Sequence, residues 1–259
     1  MDAETPAGGH GPADVVEMDE LRRLSHEFTR FSMVYKFAID EITTKINILR
    51  EEFSHLHDYN PIEHVNARLK SPESILHKAK RRGCELTFDD IREHVRDIAG
   101  VRVTCSFLSD VYTIFHMLTG QSDVTVVDVD DYIAVPKPNG YQSLHATVQL
   151  PVFLSGGPED VYVELQVRTV AMDFWASLEH KIYYKYDRAV PARLLEELKE
   201  AADTAARLDE RMEKLHRQMQ ALGQRPSLEG DLPPAAPGLN LDGLLRSLSS
   251  PTGSLLGPR

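Results

Sequence analysis

From Met18 onward, apolar residues recur at steps of three and four: Leu21, Leu24, Phe28, Phe31, Tyr35, Ile39, Ile42, Ile46, Leu49 and Phe53. That spacing predicts an amphipathic helix or a helix pair, and Asn60-Pro61 ends it. Ser71-Pro72-Glu73-Ser74 opens a short second helix, with Pro in the first turn, running to Arg82-Gly83. A third helix begins near Thr87 and leads into Asp97. The period then changes. Val101, Val103, Cys105 and Phe107 alternate with Arg102, Thr104 and Ser106, so 101–107 reads as a strand with one buried and one polar face. Residues 110–118 read as a short helix capped by Ser109 or Asp110, and 124–129 as another strand. After a turn over 136–140, residues 143–150 read as extended, and Gly156-Gly157-Pro158 forms a hairpin loop to a strand over 161–168. On that last strand Val161, Val163, Leu165 and Val167 face one way, and Glu164, Gln166 and Arg168 the other.

Thr169 caps the next helix, which holds Met172, Phe174, Trp175 and Leu178. From Ala192 the chain is helical and charged, and Ala201, Ala205, Leu208, Met212, Leu215 and Met219 form a heptad seam that calls for a partner helix, within this chain or in another copy. The expected class is α/β (α+β): a mixed sheet of about five strands flanked by helices, with further helices at both ends. Residues 1–17 lack apolar periodicity and are expected to be a disordered tail, 18–222 the folded domain, and 223–259 a flexible tail whose stretch 239–248 is a loosely apolar run or a docking segment.

Composition narrows the function. With 29 Lys and Arg against 40 Asp and Glu, the formal charge is −11, which argues against a dedicated nucleic-acid binder. Single-stranded RNA is a conceivable partner that nothing in the chain indicates. The two cysteines, Cys84 and Cys105, make no disulfide framework and no C-x-x-C pair. The first residues lack the basic and apolar runs of a signal peptide, and no apolar stretch is long enough to span a bilayer. The expectation is a cytoplasmic protein with no membrane partner.

Three constellations carry chemistry. Residues 68–82 concentrate basic side chains around a Ser-rich helix N-terminus, where free N–H groups and the helix dipole favour an anion such as polyphosphate. A solvated basic helix face would carry the same charges. Asp97 precedes one strand and Glu164 lies on the polar face of another; if those strands are neighbours, both acids open into one cleft and suit Mg²⁺ at a nucleotide. Finally, Pro136-Lys137-Pro138-Asn139-Gly140-Tyr141 is a rigid turn that presents Lys137 to a phosphate and Tyr141 as a stacking surface for a base.

Taken together, Asp97-Ile98-Ala99-Gly100-Val101-Arg102, Asp131-Tyr132-Ile133 with residues 136–145, and Val163-Glu164-Leu165-Gln166-Val167-Arg168-Thr169 with Asp173, Trp175, Glu179, His180 and Lys181 resemble the synthetase domain of RelA/SpoT-type enzymes. The likeness spans roughly residues 24–219. Without a long hydrolase domain before it or regulatory domains after it, the chain resembles the small alarmone synthetases, especially the RelQ-like branch. The resemblance implies a nucleotidyltransferase-like fold, a GTP pyrophosphokinase activity that moves pyrophosphate from ATP to the 3′-OH of GDP or GTP, a Mg²⁺ cofactor, and a homotetramer.

By the same resemblance, Arg68 and Arg102 sandwich adenine, and Lys70, Ser74 and Lys78 hold the ATP phosphates. Asp97 and Glu164 bind the metal, with Glu164 also the general base. Lys137, Asn139, Tyr141, His145, Gln166, Arg168, Asp173 and Lys181 meet the guanine nucleotide. Asp173 stands where the family often carries Asn, and a carboxylate there can still accept from guanine N1–H and N2–H₂. The acidic run Asp128-Val129-Asp130-Asp131 goes, in long family members, with a preference for GDP. Two rival classes remain in view: a nucleotide-sensing module without turnover, which would have lost Asp97 or Glu164, and another nucleotidyltransferase, which would need different residues over 137–145.

Overall fold

The computed structural model describes residues 12–185 and 190–223. Eleven elements follow one another: α1 (Pro12–Leu56), β1 (Ile62–Leu69), α2 (Pro72–Arg82), α3 (Phe88–His94), β2 (Ala99–Cys105), α4 (Leu108–Thr119), β3 (Thr125–Asp131), β4 (Leu144–Leu154), β5 (Gly157–Thr169), α5 (Val170–Lys185) and α6 (Ala192–Gly223). The strands form one mixed sheet in the order β1-β2-β5-β4-β3, in which β2 and β5 are parallel and the other neighbours antiparallel.

The first pattern is one helix of 45 residues rather than a pair. Its buried side chains, Phe31, Val34, Tyr35, Ala38, Ile39, Ile42 and Ile46, make a stripe at helical spacing against the apolar face of the sheet. Complete burial of Ile42 and Ile46 contributes roughly 1.5–3 kcal/mol each. Leu24, upstream of that stripe, is exposed. The helix begins at Pro12, so residues 12–17 are helical where a disordered tail was expected. Once packed turns have nucleated a helix, extending it needs no burial of its own. Residues 1–11 and the tail beyond 223, with its 239–248 stretch, lie outside the described residues.

Local signals hold at most of the other boundaries. The Ser71 hydroxyl accepts from the Ser74 N–H at α2, Thr87 from Asp90 at α3, and Thr169 from Met172 at α5. At α4 the cap differs from both expected arrangements. Asp110 sits inside the first turn and its carboxylate reaches back to accept the Phe107 N–H, while Ser109 donates its N–H and hydroxyl to Glu213. The hairpin strands β4 and β5 extend beyond the expected 143–150 and 161–168, pairing as far as Leu154 with Gly157. β1 is the strand that no alternation announced, because it lies at a sheet edge with only Ile62 fully buried.

α6 docks through a face other than its heptad seam. Leu208, Met212, Leu215 and Met219 are exposed, whereas Ala202, Asp209 and Glu213 are buried against the body. Thr169 donates to Asp209 over 2.5 Å, Ser109 to Glu213 over 3.1 Å, and Phe107 stacks on His216 with ring centroids 4.0 Å apart. Close approach is also demanded at Gly140, whose φ of +87° favours glycine and where an added Cβ would lie 2.5 Å from the Ala202 Cβ. α6 therefore clamps the 136–141 turn from above.

Burial pushes the Asp209 carboxyl up from 3.8 to about 6, with the Thr169 hydrogen bond opposing only part of the rise. Between those values the folded protein holds a proton that the unfolded chain releases. This contribution to stability is therefore present in acid and lost as pH rises through about 6. Asp209→Asn keeps an acceptor for Thr169 without the buried charge. Melting curves should show it more stabilised relative to the parent at pH 7 than at pH 4.

Candidate functional site

The register of the sheet arrays polar residues in rows across one face. Arg68 (β1), Gly100 (β2), Glu164 (β5), Thr147 (β4) and Asp128 (β3) form one row, and Asn66, Arg102, Gln166, His145 and Asp130 the next. Strand alternation sends the intervening residues, Val101, Leu165 and Ala146 among them, into the core on the opposite face.

Two cavities open on this face. One, of about 760 Å³, lies at the N-terminal end of α2 and is lined by Arg68, Lys70, Ser71, Ser74, His77, Lys78, Arg81 and Asp97. The other, of about 420 Å³, is lined by Asn66, Arg68, Gly100, Arg102, Glu164, Gln166, Asp173 and Ser177. Arg68 belongs to both. The parallel pairing of β2 with β5 puts Asp97 and Glu164 at the same sheet region, yet in adjoining cavities rather than a single one.

In the first cavity Asp97 Oδ2 accepts from both Lys70 and Lys78, the latter at 2.5 Å. Burial would raise this carboxyl, but the hydrogen bonds and charges of the two lysines outweigh it and hold Asp97 below the ordinary carboxylate range. In the second, polar groups form a chain. Arg168 donates to Gln166 over 2.5 Å, Gln166 donates to Glu164 over 2.9 Å, and Asp173 Oδ1 bridges Arg102 at 3.2 Å and Arg168 at 3.5 Å. Arg168 is almost wholly buried, and that burial, with repulsion from Arg102, pulls its pKa down, opposed by Tyr141, Asp173 and Glu164. A guanidinium nonetheless stays charged. Among the described residues five buried side-chain polar atoms lack a hydrogen-bond partner, and three of them, Asp97 Oδ1, Arg102 Nε and Arg168 Nε, belong to this cluster. Orphaned groups of this kind mark a surface built to meet something else.

The turn before β4 supplies the third part. The Tyr141 hydroxyl lies 2.8 Å from His145 Nε2, Tyr132 packs edge-on against both rings, and Lys137 Nζ stands 4.1 Å from the Tyr132 ring centre and 5.1 Å from that of Tyr141. The Arg168 guanidinium lies 5.8 Å from the Tyr141 ring, which ties the aromatic surface to the arginine cluster. Asp131, the last residue of β3, braces the turn that follows: its carboxylate accepts from the N–H groups of Ile133 and Ala134 and from the Tyr112 hydroxyl.

Some expected site residues are placed otherwise. Asn139 accepts from the Tyr141 N–H and donates to Glu179, so in this structure it braces the turn against α5. Lys181 is exposed two turns beyond Asp173 and lines neither cavity. Conversely, Asn66 and Ser177 stand among the site residues without having been singled out, and His77, Arg81 and Tyr132, which lie within the motifs read above, had been given no role of their own. His77 and Arg81 were detectable from their three- and seven-residue offsets to Ser74 on α2, which place them on one helix face.

The family described as "Region found in RelA / SpoT proteins" matches residues 67–189, which takes in the turn and every residue named in the two cavities except Asn66. The GTP pyrophosphokinase YwaC of Bacillus subtilis (strain 168) is 50% identical over 198 residues, covering 76% of this chain and 94% of that protein. The chain belongs to the RelA/SpoT family. Similar solved structures include small alarmone synthetases. Small alarmone synthetase 2 from Bacillus subtilis superposes with a TM-score of 0.68 at 48% identity, covering 74% of this chain and 99% of that one. Small alarmone synthetase 1 from the same organism, bound to its product pppGpp, gives 0.69 at 38% identity, covering 75% and 98%.

For this RelA/SpoT chain the geometry makes a prediction about protonation. Burial, with Lys137 and Arg168 nearby, depresses His145 from 6.5 to about 4. Its ring is neutral at working pH and serves as a fixed donor or acceptor for Tyr141. As pH falls from 6.5 toward 4 the unfolded chain takes a proton that the folded site refuses, so this residue's contribution to stability shrinks in acid. The His145 ring protons, followed by NMR, should titrate near pH 4 rather than 6.5.

Proposed function

We propose that the chain transfers the pyrophosphoryl group of ATP to the ribose 3′-OH of GDP or GTP, forming ppGpp or pppGpp and releasing AMP. The observation that carries this reading is the junction at Arg68 of a lysine-rich phosphate cradle with an arginine- and carboxylate-lined cavity. The family's small synthetases, one of them solved with pppGpp, support it.

Each part has work suited to its chemistry. Lys70, Ser74 and Lys78 hold the ATP phosphates at the N-terminus of α2, where the dipole and free N–H groups add to the lysine charges. Arg68 pairs with Gly100, two residues before Arg102 on the same face of β2. A two-residue step along a strand is about 6.7 Å, close to two van der Waals contacts of about 3.5 Å each, so a planar adenine fits between the two guanidinium groups. Tyr141 stacks on guanine, while Lys137 and His145 face the acceptor's phosphates or ribose.

Glu164 accepts the proton of the 3′-OH as its oxygen attacks the β-phosphorus of ATP, and the bond to the α-phosphate oxygen breaks to release AMP. Gln166, itself held by Arg168, orients the Glu164 carboxylate. Asp173 bridges Arg102 and Arg168 and thereby links the adenine side to the guanine side, where it reads the guanine edge.

Asp97 and Glu164 are the residues that would hold Mg²⁺. The fit rests on hard oxygen donors and on Asp97 Oδ1, which is buried without a partner while Oδ2 serves the lysines. When bound, the ion neutralises phosphate charge at the transferring group. The exposed stripe of α6 and the apolar groove it forms with Phe174 and Leu178 of α5 support a homo-oligomer, the tetramer that the family resemblance implies. No helix among the described residues is long and apolar enough to cross a membrane.

The deciding experiment incubates the protein with ATP, GDP and Mg²⁺ and separates the nucleotides. AMP and ppGpp should appear in equal amounts; ATP consumed without ppGpp would refute the reading. Glu164→Gln, which keeps shape but removes basicity, should lower turnover by about 10² or more.

Acceptor recognition has its own test. Tyr141→Ala should weaken GDP binding by about 1–3 kcal/mol through lost stacking, while Tyr141→Phe, which keeps the ring and loses the hydroxyl contacts, should lose far less. Steady-state KM values for GDP, GTP and ITP measure both. In Asp173→Ala the loss should be larger for GTP than for ITP, which lacks the exocyclic amine.

A further inference from the structure

Away from the two cavities, one other set of donors converges. Cys84 follows Gly83, whose left-handed φ of 71° ends α2. Asp90 and His94 stand one turn apart on α3. One donor atom from each of the three residues lies within 4.8 Å of the other two. We propose that Cys84, Asp90 and His94 form a binding site for a thiophilic divalent cation, with Zn²⁺ as the reference ion.

The donor set selects the metal. A thiolate, an imidazole and a carboxylate suit Zn²⁺ and its borderline-soft relatives, whereas Mg²⁺ and Ca²⁺ take oxygen ligands throughout. The site is therefore chemically separate from the carboxylates of the reaction centre. Metal–donor lengths of roughly 2.0–2.3 Å at tetrahedral angles place donors about 3.3–3.8 Å apart; with every donor already within 4.8 Å of the others and the His94–Asp90 pair at 3.1 Å, only small side-chain adjustments are needed on binding. The side chains have that freedom. His94 is about half exposed and already leans on Asp90, with Nδ1 3.1 Å from Oδ1. The backbone beneath is fixed: the Cys84 N–H donates to the Ala79 carbonyl over 3.0 Å, and the Asp90 N–H donates to the Thr87 hydroxyl.

Binding replaces the Cys84 S–H bond with a sulfur–metal bond, and the proton passes to solvent. Three protein donors leave a fourth position for water, the open arrangement of an exchangeable site rather than a closed structural one. Its place in the fold gives it a mechanical role. It joins the end of α2 to α3, while Ser74 and Lys78 ride on α2 and Asp97 follows His94 by three residues. An ion there pins the phosphate-binding helix to the segment that carries the acidic group opposite it.

The test uses the full chain stripped with chelator and titrated with Co²⁺, a spectroscopic substitute for Zn²⁺. One equivalent should bind with a thiolate-to-cobalt charge-transfer band, which Zn²⁺ then bleaches, and Glu164→Gln should leave that band unchanged. Cys84→Ser should abolish it, and His94→Gln should weaken binding about tenfold or more, with metal-free circular dichroism as the control for folding. In the parent protein Zn²⁺ should also protect Cys84 from alkylation, a measurement that decides the matter even if a variant fails to fold. A cobalt spectrum with oxygen ligands only, a band that survives Cys84→Ser, unchanged affinity in His94→Gln, or unprotected Cys84 would each overturn the site.

Discussion

The parallel pairing of β2 with β5 is the constraint on which the site depends. It sets Gly100 beside Glu164 and Arg102 beside Gln166, and each outer strand then extends a row that this pair has begun. Strand alternation makes the arrangement all or nothing. A slip of one residue would carry Glu164 and Gln166 into the apolar layer beneath α1 and bring Leu165 out to face nucleotide. The unbroken run of Val161, Val163, Leu165 and Val167, all buried, is thus what enforces the orientation of the reactive face.

On that face charges are matched locally and left incomplete. Lys70 and Lys78 converge on one oxygen of Asp97, and Arg102 and Arg168 on one oxygen of Asp173, leaving three buried atoms without partners. Such incompleteness opposes stability in the free protein, because unpaired buried polar atoms are desolvated without return. It is also preorganisation: a polyanion arriving with its own cations meets side chains already oriented and partly stripped of water.

Legibility in the sequence followed the number of constraints acting on each segment. β5 was readable because its two faces meet opposite environments, and α2 because Ser71, Pro72 and Gly83 mark both ends. β1 was not, since an edge strand with exposed residues on both faces carries no alternation, although Arg68 and Asn66 both ride on it. The seam of α6 was legible as apolar, with its partner left open between this chain and another copy; what seats the helix within the chain is Asp209 and Glu213, whose hydrogen-bond partners lie 40 and 104 residues away in the sequence. The residue types of the site could be assembled from motifs. Their division into two cavities, the commitment of Asp97 to two lysines and the turn-bracing role of Asn139 required the folded geometry.

The contact between Gly140 and Ala202 has a mechanical consequence. Without a side chain at Gly140 there is no compressible cushion between the turn bearing Lys137 and Tyr141 and the helix above it. Turn and helix therefore behave as a lever and its fulcrum. Any displacement of α6 at Ala202 would press directly on the turn that carries Lys137 and Tyr141, and the outer stripe of the same helix is open along Leu208, Met212 and Leu215.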